Sequence, residues 1–386
     1  MAATLVRSGV LTQYQSDQLT AGRTKLNLGP YVITDWIGQG GMGQVFKAVH
    51  RVMGRVCAVK VLPLEKSTEA SRDSFMREIR LQAELDHPNV VRAYDAGRDG
   101  SVHYLVTELV PGTDLRNLIR NDGPLPQSNA ISIIVQVARG LQYAHDIGLI
   151  HRDIKPGNIL VTQQGNAKLS DIGLATWTMG LQDDPRAGKI VGTADYLSPE
   201  QIQTPGEIDH LSDIYSLGCT LYFCVTGKVP YPGGDAKSKC RRHREETPLH
   251  PRKYADDLTE EFVDIIADMM EKDPRQRLQS ATEVAQRLER IRSNQAPIQF
   301  PIRNDPRFAG LSDDTEPSFE LGPDQKTSAI APTPLWTISD PTIKAPPTSL
   351  NDQRGQKLAE RILWNSIILM IGIALGILIR PYIDMQ

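Results

Sequence analysis

The stretch LIHRDIKPGNILV, Leu149 to Val161, constrains this chain more than any other. Two apolar runs enclose a compact polar loop that carries Asp153, Lys155 and Asn158. A plain surface turn has no need of His, Arg, Asp, Lys and Asn in this order and spacing. The loop is therefore the strongest sign of chemistry in the sequence, and the rest of the chain has to supply its surroundings.

Those surroundings divide by composition. With 386 residues, the chain is long enough for two or three domains, or for one larger domain with appendages. Residues 1–30 read as a short helical extension, with Val10, Leu11, Tyr14 and Leu19 at loosely helical spacing. The extension has no continuous apolar core, so no signal peptide is expected. From about residue 31 to 110 the pattern is strand-rich: YVITDWIG, QVFKAVH, CAVKVL and VHYLVTELV, interrupted by one helical stretch, SRDSFMREIRLQAEL. From about 113 to 291 it turns mainly helical, as in AISIIVQVARGLQYAHDIG and EEFVDIIADMM. A small β-rich lobe followed by a larger α-rich one is an α+β arrangement with a natural cleft between its parts.

The charge balance excludes some partners. A net charge of -3, with 23% charged and 40% apolar residues, does not favour a nucleic-acid polyanion. Cys57, Cys219, Cys224 and Cys240 lack metal-ligand spacing, and Cys57 and Cys219 lie in apolar runs, as buried thiols in a reducing compartment do.

Two further stretches bear on the polar loop. IGQGGMGQV, Ile37 to Val45, contains G-x-G-x-x-G, a weak signal alone. A dinucleotide site needs a helix straight after the glycines. Here Val45, Phe46, Ala48 and Val49 continue as a strand, so the glycines belong to a hairpin whose backbone amides can close over phosphates. Next, CAVK puts Lys60 at the end of an apolar strand, between Ala58, Val59, Val61 and Leu62. Its ammonium needs a partner there, and Glu78 in SFMREIRLQ is the natural candidate.

Taken together these stretches resemble a eukaryotic-type protein kinase domain over 31–291, roughly two-thirds of the chain. The resemblance implies a bilobal fold, with ATP and magnesium as cofactors. Ile37, Gly38, Gln39, Gly40, Gly41, Met42, Gly43, Gln44 and Val45 would cover the ATP phosphates. Lys60 would contact the α- and β-phosphates and pair with Glu78. Asp153 would accept or orient the substrate hydroxyl proton, and Lys155 would neutralise the moving phosphoryl group, as in the serine/threonine-specific pattern. Asn158 and Asp171 would hold the metal ions. Thr107 resembles the gatekeeper before a Glu108-Leu109-Val110 hinge whose backbone binds adenine, with Val45, Ala58 and Leu160 sandwiching the ring. GTADYLSPE, Gly192 to Glu200, resembles the peptide-docking segment, with Ser198 in place of an alanine. Within it Thr193 would bond near Asp153 and Lys155. Glu200 would pair with Arg277, and Asp213 would brace the catalytic loop. Protein substrates with Ser/Thr hydroxyls follow as partners. The preface and the GGMG loop together resemble bacterial, particularly planctomycete-like, kinases.

Some positions depart from the family pattern. KLSDIGLAT has Ile172 where an aromatic usually stacks in the column linking the lobes. The change is expected to cost packing and not metal binding, since Asp171 supplies the carboxylate. Gln82 is polar where that column often has an apolar residue, which suggests a less tightly held active state. Between Met179 and Gly192 there is no Ser, Thr or Tyr, only Asp183 and Asp184 to face Arg152. A silent, nucleotide-binding scaffold and a small-molecule phosphotransferase are the competing readings. Lys60, Asp153 and Asp171 are all present, against the first; the docking segment speaks against the second.

Beyond the domain the composition changes again. Ten prolines fall between Ser293 and Ser349, so 292–361 is expected to be a disordered linker. Ile362 to Ile379 carries no charge, and as a helix it would be about 27 Å long, close to the hydrocarbon thickness. It is expected to be a single-pass C-terminal anchor in the lipid bilayer, followed by a short tail, 380–386. Arg354, Lys357 and Arg361 outweigh Arg380, which puts the kinase domain in the cytoplasm. Gly372 and Gly376 form G-x-x-x-G: either the face pairs two chains as a homodimer, or glycine is simply common in membrane helices.

Overall fold

The computed structural model describes residues 2–39, 43–61, 76, 79–80, 82–171, 193–292 and, for the backbone alone, 176–177. They belong to one compact unit, Met1–Glu320. The expectations for Gly40, Gly41, Met42, Glu78, Ile172, the segment from 178 to 192, the linker, the apolar run 362–379 and the tail lie outside the described residues. Among the described residues, no helix is long and apolar enough to cross a membrane.

The first lobe is built on a six-stranded antiparallel sheet in the order β1-β2-β3-β4-β6-β5. Its strands are β1 (Asn27–Leu28), β2 (Tyr31–Gln39), β3 (Gln44–His50), β4 (Val56–Val61), β5 (Ala93–Asp99) and β6 (Val102–Thr107). One face closes over a core of Leu28, Tyr31, Ile33, Ala48, Cys57, Val59, Tyr104 and Val106, with the half-buried Tyr14 packed against it. Tyr14 comes from the N-terminal extension, which forms two helices, Ala2–Arg7 and Gln13–Thr20. Thr12 caps the second helix in a reciprocal capping box with Gln15. Their side chains also reach the sheet: Thr12 Oγ1 donates to the Thr34 carbonyl at 2.6 Å, and Gln15 Nε2 to the Ile33 carbonyl at 2.8 Å. β1 pairs with β2 only at Tyr31 and Val32, so these two donors satisfy the β2 edge where pairing stops.

The second lobe is helical around one buried helix, Gln127–Asp146. Ala130, Ile131, Ile134, Val137, Ala138, Leu141 and Ala144 recur at helical spacing along it, and all are buried. Helix Leu211–Thr226 is buried almost throughout. The core they share also takes in Phe262, Ile266 and Met269 from helix Glu260–Met269, and Val284 and Leu288 from helix Ala281–Arg290. A three-stranded sheet, β7 (Gly112–Asp114), β9 (Ile159–Thr162) and β10 (Ala167–Leu169), lies in the order β10-β9-β7. Gly112 is demanded by this packing: a Cβ there would sit 2.0 Å from the Val161 carbonyl oxygen. The short strands β8 (Leu149–Ile150) and β9 are the two apolar runs that enclose the polar loop. The four cysteines are free thiols, three of them buried.

Candidate active site

Between β8 and β9 the polar loop turns through a 3-10 segment, Pro156–Asn158. Asp153 is 8% exposed, so its carboxylate needs partners, and it finds several. Lys155 Nζ donates to Oδ2. The Thr193 backbone N–H and hydroxyl donate to Oδ1 at 3.2 and 3.3 Å. Asn158 Nδ2 donates to the Asp153 carbonyl at 3.0 Å and to Oδ2 at 3.3 Å. Lys155 Nζ also reaches Thr193 Oγ1 at 3.1 Å. A carboxylate, an ammonium and a hydroxyl from two separated stretches thus converge on one point.

Asp213, fully buried on helix Leu211–Thr226, holds the loop from below. It accepts from the backbone N–H groups of His151 and Arg152, each at 2.8 Å, and contacts His145 Nε2 at 2.9 Å. Burial alone would push its carboxyl up; the hydrogen bond and charge of His145, with His151, hold it below the ordinary carboxylate range instead. Arg152 has φ of 66°, a left-handed conformation that non-glycine residues rarely adopt, and the bond to Asp213 helps to keep it there.

The first lobe brings a second group of residues. Gly38 pairs with Val45 and Gln39 with Gln44, so β2 and β3 form the hairpin expected from the glycines. Among the described residues a Cβ on Gly38 would meet nothing within 4 Å, so their packing does not call for glycine there. Val45 on β3 lies opposite Lys60 on β4, and Ala58 lies opposite Thr107 on β6. Lys60 Nζ donates to Asp171 Oδ1 at 2.9 Å. The Lys60 ammonium holds the half-exposed Asp171 carboxyl below its usual range, against the upward push of desolvation. Asp171, at φ 58°, is the second non-glycine residue with a left-handed backbone among the described residues.

The Glu108 N–H is taken by the Arg92 carbonyl at 2.9 Å, and its own carbonyl accepts from the Thr107 hydroxyl at 3.2 Å, which leaves that carbonyl's second lone pair as the group for a base. Val110 is buried and its carbonyl accepts from the Gly112 N–H. Leu160 on β9 pairs with Asp114 and Lys168. Further off, Arg277 Nη1 and Nη2 meet Glu200 Oε1 and Oε2 at 2.6 and 2.7 Å.

Asp153, Lys155, Asn158 and Thr193 therefore form one cluster, Lys60 and Asp171 a contacting pair, and Glu200 and Arg277 another. Sequence reasoning missed several partners. His145 contacts Asp213, Lys168 makes a 2.8 Å ion pair with Glu108, and the Ser170 carbonyl lies 3.1 Å from His151 Nε2. None belongs to a local pattern, so only spatial proximity identifies them. Gln82 is buried, and its side-chain amide donates to the Val91 carbonyl at 3.1 Å, so its polar group is satisfied.

The metal ligands expected from the sequence supply oxygen donors, the set that suits magnesium. Asn158 Nδ2 is committed to Asp153, which leaves Oδ1 for a metal, and Asp171 offers its carboxylate.

A family profile described as protein kinase domain matches residues 31–288. The chain is 40% identical over 271 residues to a probable serine/threonine-protein kinase of Corynebacterium efficiens, covering 67% of this chain and 40% of that one. It is 38% identical over 265 residues to a probable serine/threonine-protein kinase of Clostridium perfringens, covering 68% and 38%. With the serine/threonine-protein kinase PknB of Mycobacterium leprae it shares 35% identity over 272 residues, covering 69% and 44%. The matched stretch thus spans about two-fifths of the length of these curated relatives.

Proposed function

Because the chain belongs to the protein kinase domain family, we propose that it transfers the γ-phosphoryl group of ATP to serine or threonine hydroxyls of proteins. The observation that carries this reading is the convergence on Asp153. Its buried carboxylate is held by Thr193 of the docking segment and by Lys155, two residues along the loop. A carboxylate so placed accepts the proton of an incoming hydroxyl, and a positioned base of this kind contributes about 10²- to 10⁴-fold. Lys155 stabilises the charge on the group in transit, and Thr193 links that charge to the segment where a peptide would lie. Lys60 binds the α- and β-phosphates; the glycine hairpin closes over them, with open space at Gly38 for close approach. The Glu108 carbonyl and Val110 receive the adenine, against Val45, Ala58 and Leu160. Asn158 and Asp171 would hold magnesium, which when bound neutralises phosphate charge.

The test is transfer of radiolabelled phosphate by the purified chain, with Asp153→Asn beside it. Label in the wild type and none in the variant is expected. Equal labelling of the two would remove Asp153 from the chemistry; no labelling in either would leave a nucleotide-binding scaffold.

The chain's attachment to a membrane is part of the same proposal. The uncharged run Ile362 to Ile379, with Arg361 and Arg380 at its ends, supports a C-terminal anchor and a cytoplasmic kinase domain. Carbonate extraction of cell membranes should leave the full chain in the pellet and release a chain ending at Arg361. Release of the full chain would overturn the anchor. Gly372→Ile with Gly376→Ile then decides between a paired face and a plain anchor, by association measured in a bilayer.

A further inference from the structure

Helix Pro199–Gln203 begins with four residues, Ser-Pro-Glu-Gln, of which the ion pair of Glu200 accounts for only one. Ser198 is the N-cap, fully buried, and its hydroxyl accepts from the Gln201 N–H at 3.3 Å. The Gln201 side-chain oxygen accepts from the Ser198 N–H at 3.0 Å and completes a capping box. Its amide nitrogen does something a cap does not require: Nε2 donates to the Arg152 carbonyl at 2.9 Å, across 49 residues of sequence. The orientation of the amide follows from this network, since only one placement of O and N satisfies both partners.

We propose that Gln201 is a positioning residue of phosphoryl transfer, holding the Arg152 carbonyl and through it the direction of Asp153. The inference rests on the kinase reading above. Arg152 sits at φ 66°, a conformation that is unfavourable for a non-glycine residue and persists only where its surroundings over-determine it. Its N–H is held by Asp213 and its carbonyl by Gln201, so both backbone polar groups of this residue are clamped by side chains from different elements. The clamped carbonyl begins the peptide unit that leads into Asp153. Rotation about the Arg152 backbone would turn that peptide and swing the carboxylate away from Thr193 and Lys155.

Residue type follows from the two demands. A capping box accepts glutamate as readily as glutamine. A carboxylate, however, has no donor for the Arg152 carbonyl and would set oxygen against oxygen in a site where Gln201 is 3% exposed. Only a neutral amide of this length serves both. Gln201 thus couples the docking segment, through Ser198, to the catalytic loop.

Gln201→Glu separates the two roles: it keeps the cap acceptor and removes the donor. Gln201→Met, which removes both without adding charge, covers the case in which the glutamate variant does not fold. In the full chain, intrinsic ATP hydrolysis and transfer to casein should fall about 10- to 100-fold in kcat for each variant that folds, with KM for ATP within about twofold. Ser198→Ala, which weakens the cap alone, should cost less kcat than Gln201→Glu. Hydrogen exchange supplies a readout independent of turnover: amides of 151–155 should exchange at least about 10-fold faster in Gln201→Glu, whereas a pure capping role moves only the amides of 198–204. A kcat within twofold of wild type in a folded Gln201→Glu or Gln201→Met chain, or unchanged exchange at 151–155, overturns the proposal. If the wild type itself transfers no phosphate, the kinase reading fails alone, and the exchange at 151–155 still decides the clamp.

Discussion

Arg277 and Glu200 face each other fork to fork, at 2.6 and 2.7 Å, with the guanidinium fully buried and the carboxylate nearly so. The same guanidinium also donates to the carbonyls of Glu271, Leu211 and Lys272. Glu200→Ala would leave a buried charge with neutral partners only. The expected loss is about 3–5 kcal/mol, toward the lower end because the three carbonyls remain. Urea unfolding of the two single variants and of Glu200→Ala with Arg277→Met checks it. A coupling energy below about 0.5 kcal/mol would mean that the pair contributes geometry without energy.

Lys60 on β4 donates to Asp171, and Asp171 is half exposed. Ion pairs with an exposed partner contribute little to folding, so Lys60→Met should change stability by less than about 1 kcal/mol. On the proposed mechanism phosphoryl transfer should nonetheless fall by at least about 10³-fold, because Lys60 would no longer neutralise the α- and β-phosphates. Retention of more than a tenth of wild-type kcat/KM would remove Lys60 from the mechanism.

His243 is buried beneath Tyr215 and Tyr231, with its Nδ1 2.9 Å from the Tyr215 hydroxyl. Burial pushes its pKa down to about 3, helped by the charge of Lys272, which is itself pushed down to about 8 by its own burial; Arg242 and Lys239 act in the same direction on His243. A histidine depressed in the folded state stays neutral there while the unfolded chain takes up protons. Stability is therefore retained above pH 6.5 and lost as the pH falls toward 3, by about 1.4 kcal/mol per pH unit well below 6.5. In His243→Leu the dependence on pH between 6.5 and 4.5 should flatten, whatever the overall stability. An unchanged slope in urea midpoints would assign the acid sensitivity to other groups.

Thr12 and Gln15 occupy the β2 edge through the carbonyls of Thr34 and Ile33. Thr12→Val with Gln15→Leu leaves both acceptors without these donors and removes the helix cap, a loss of about 2–3 kcal/mol. Thermal unfolding should shift down by several degrees. Cleavage by trypsin after Arg23 and Lys25 should become faster at the same time. If neither changes, the extension is only laid on the sheet.

The local motifs could be read from the chain because they are local. The hairpin of Gly38 to Val45, the strand that carries Lys60 and the loop from His151 to Asn158 each announce themselves within a dozen residues, through alternation, glycine spacing and a polar break between apolar runs. The helical extension was legible for the same reason, although its seat on the β2 edge was not.

What the sequence by itself determined is part of the inventory: the hairpin strands around the glycines, the strand that carries Lys60, the long helix Gln127–Asp146, and the carboxylates, lysine and amide of the polar loop. Periodicity and capping patterns act over a few residues, so this much follows from local backbone physics. Tertiary structure decided the partners that neither a local pattern nor the resemblance carries. Lys60 meets Asp171 across 111 positions, His145 meets Asp213 across 68, and Gln201 meets Arg152 across 49. Gln82 is polar where the resemblance often has an apolar residue, and in the fold its buried amide donates to the Val91 carbonyl. Whether a buried polar group costs stability or adds it depends on whether an acceptor stands within about 3 Å, and that distance is set by the packing of distant segments.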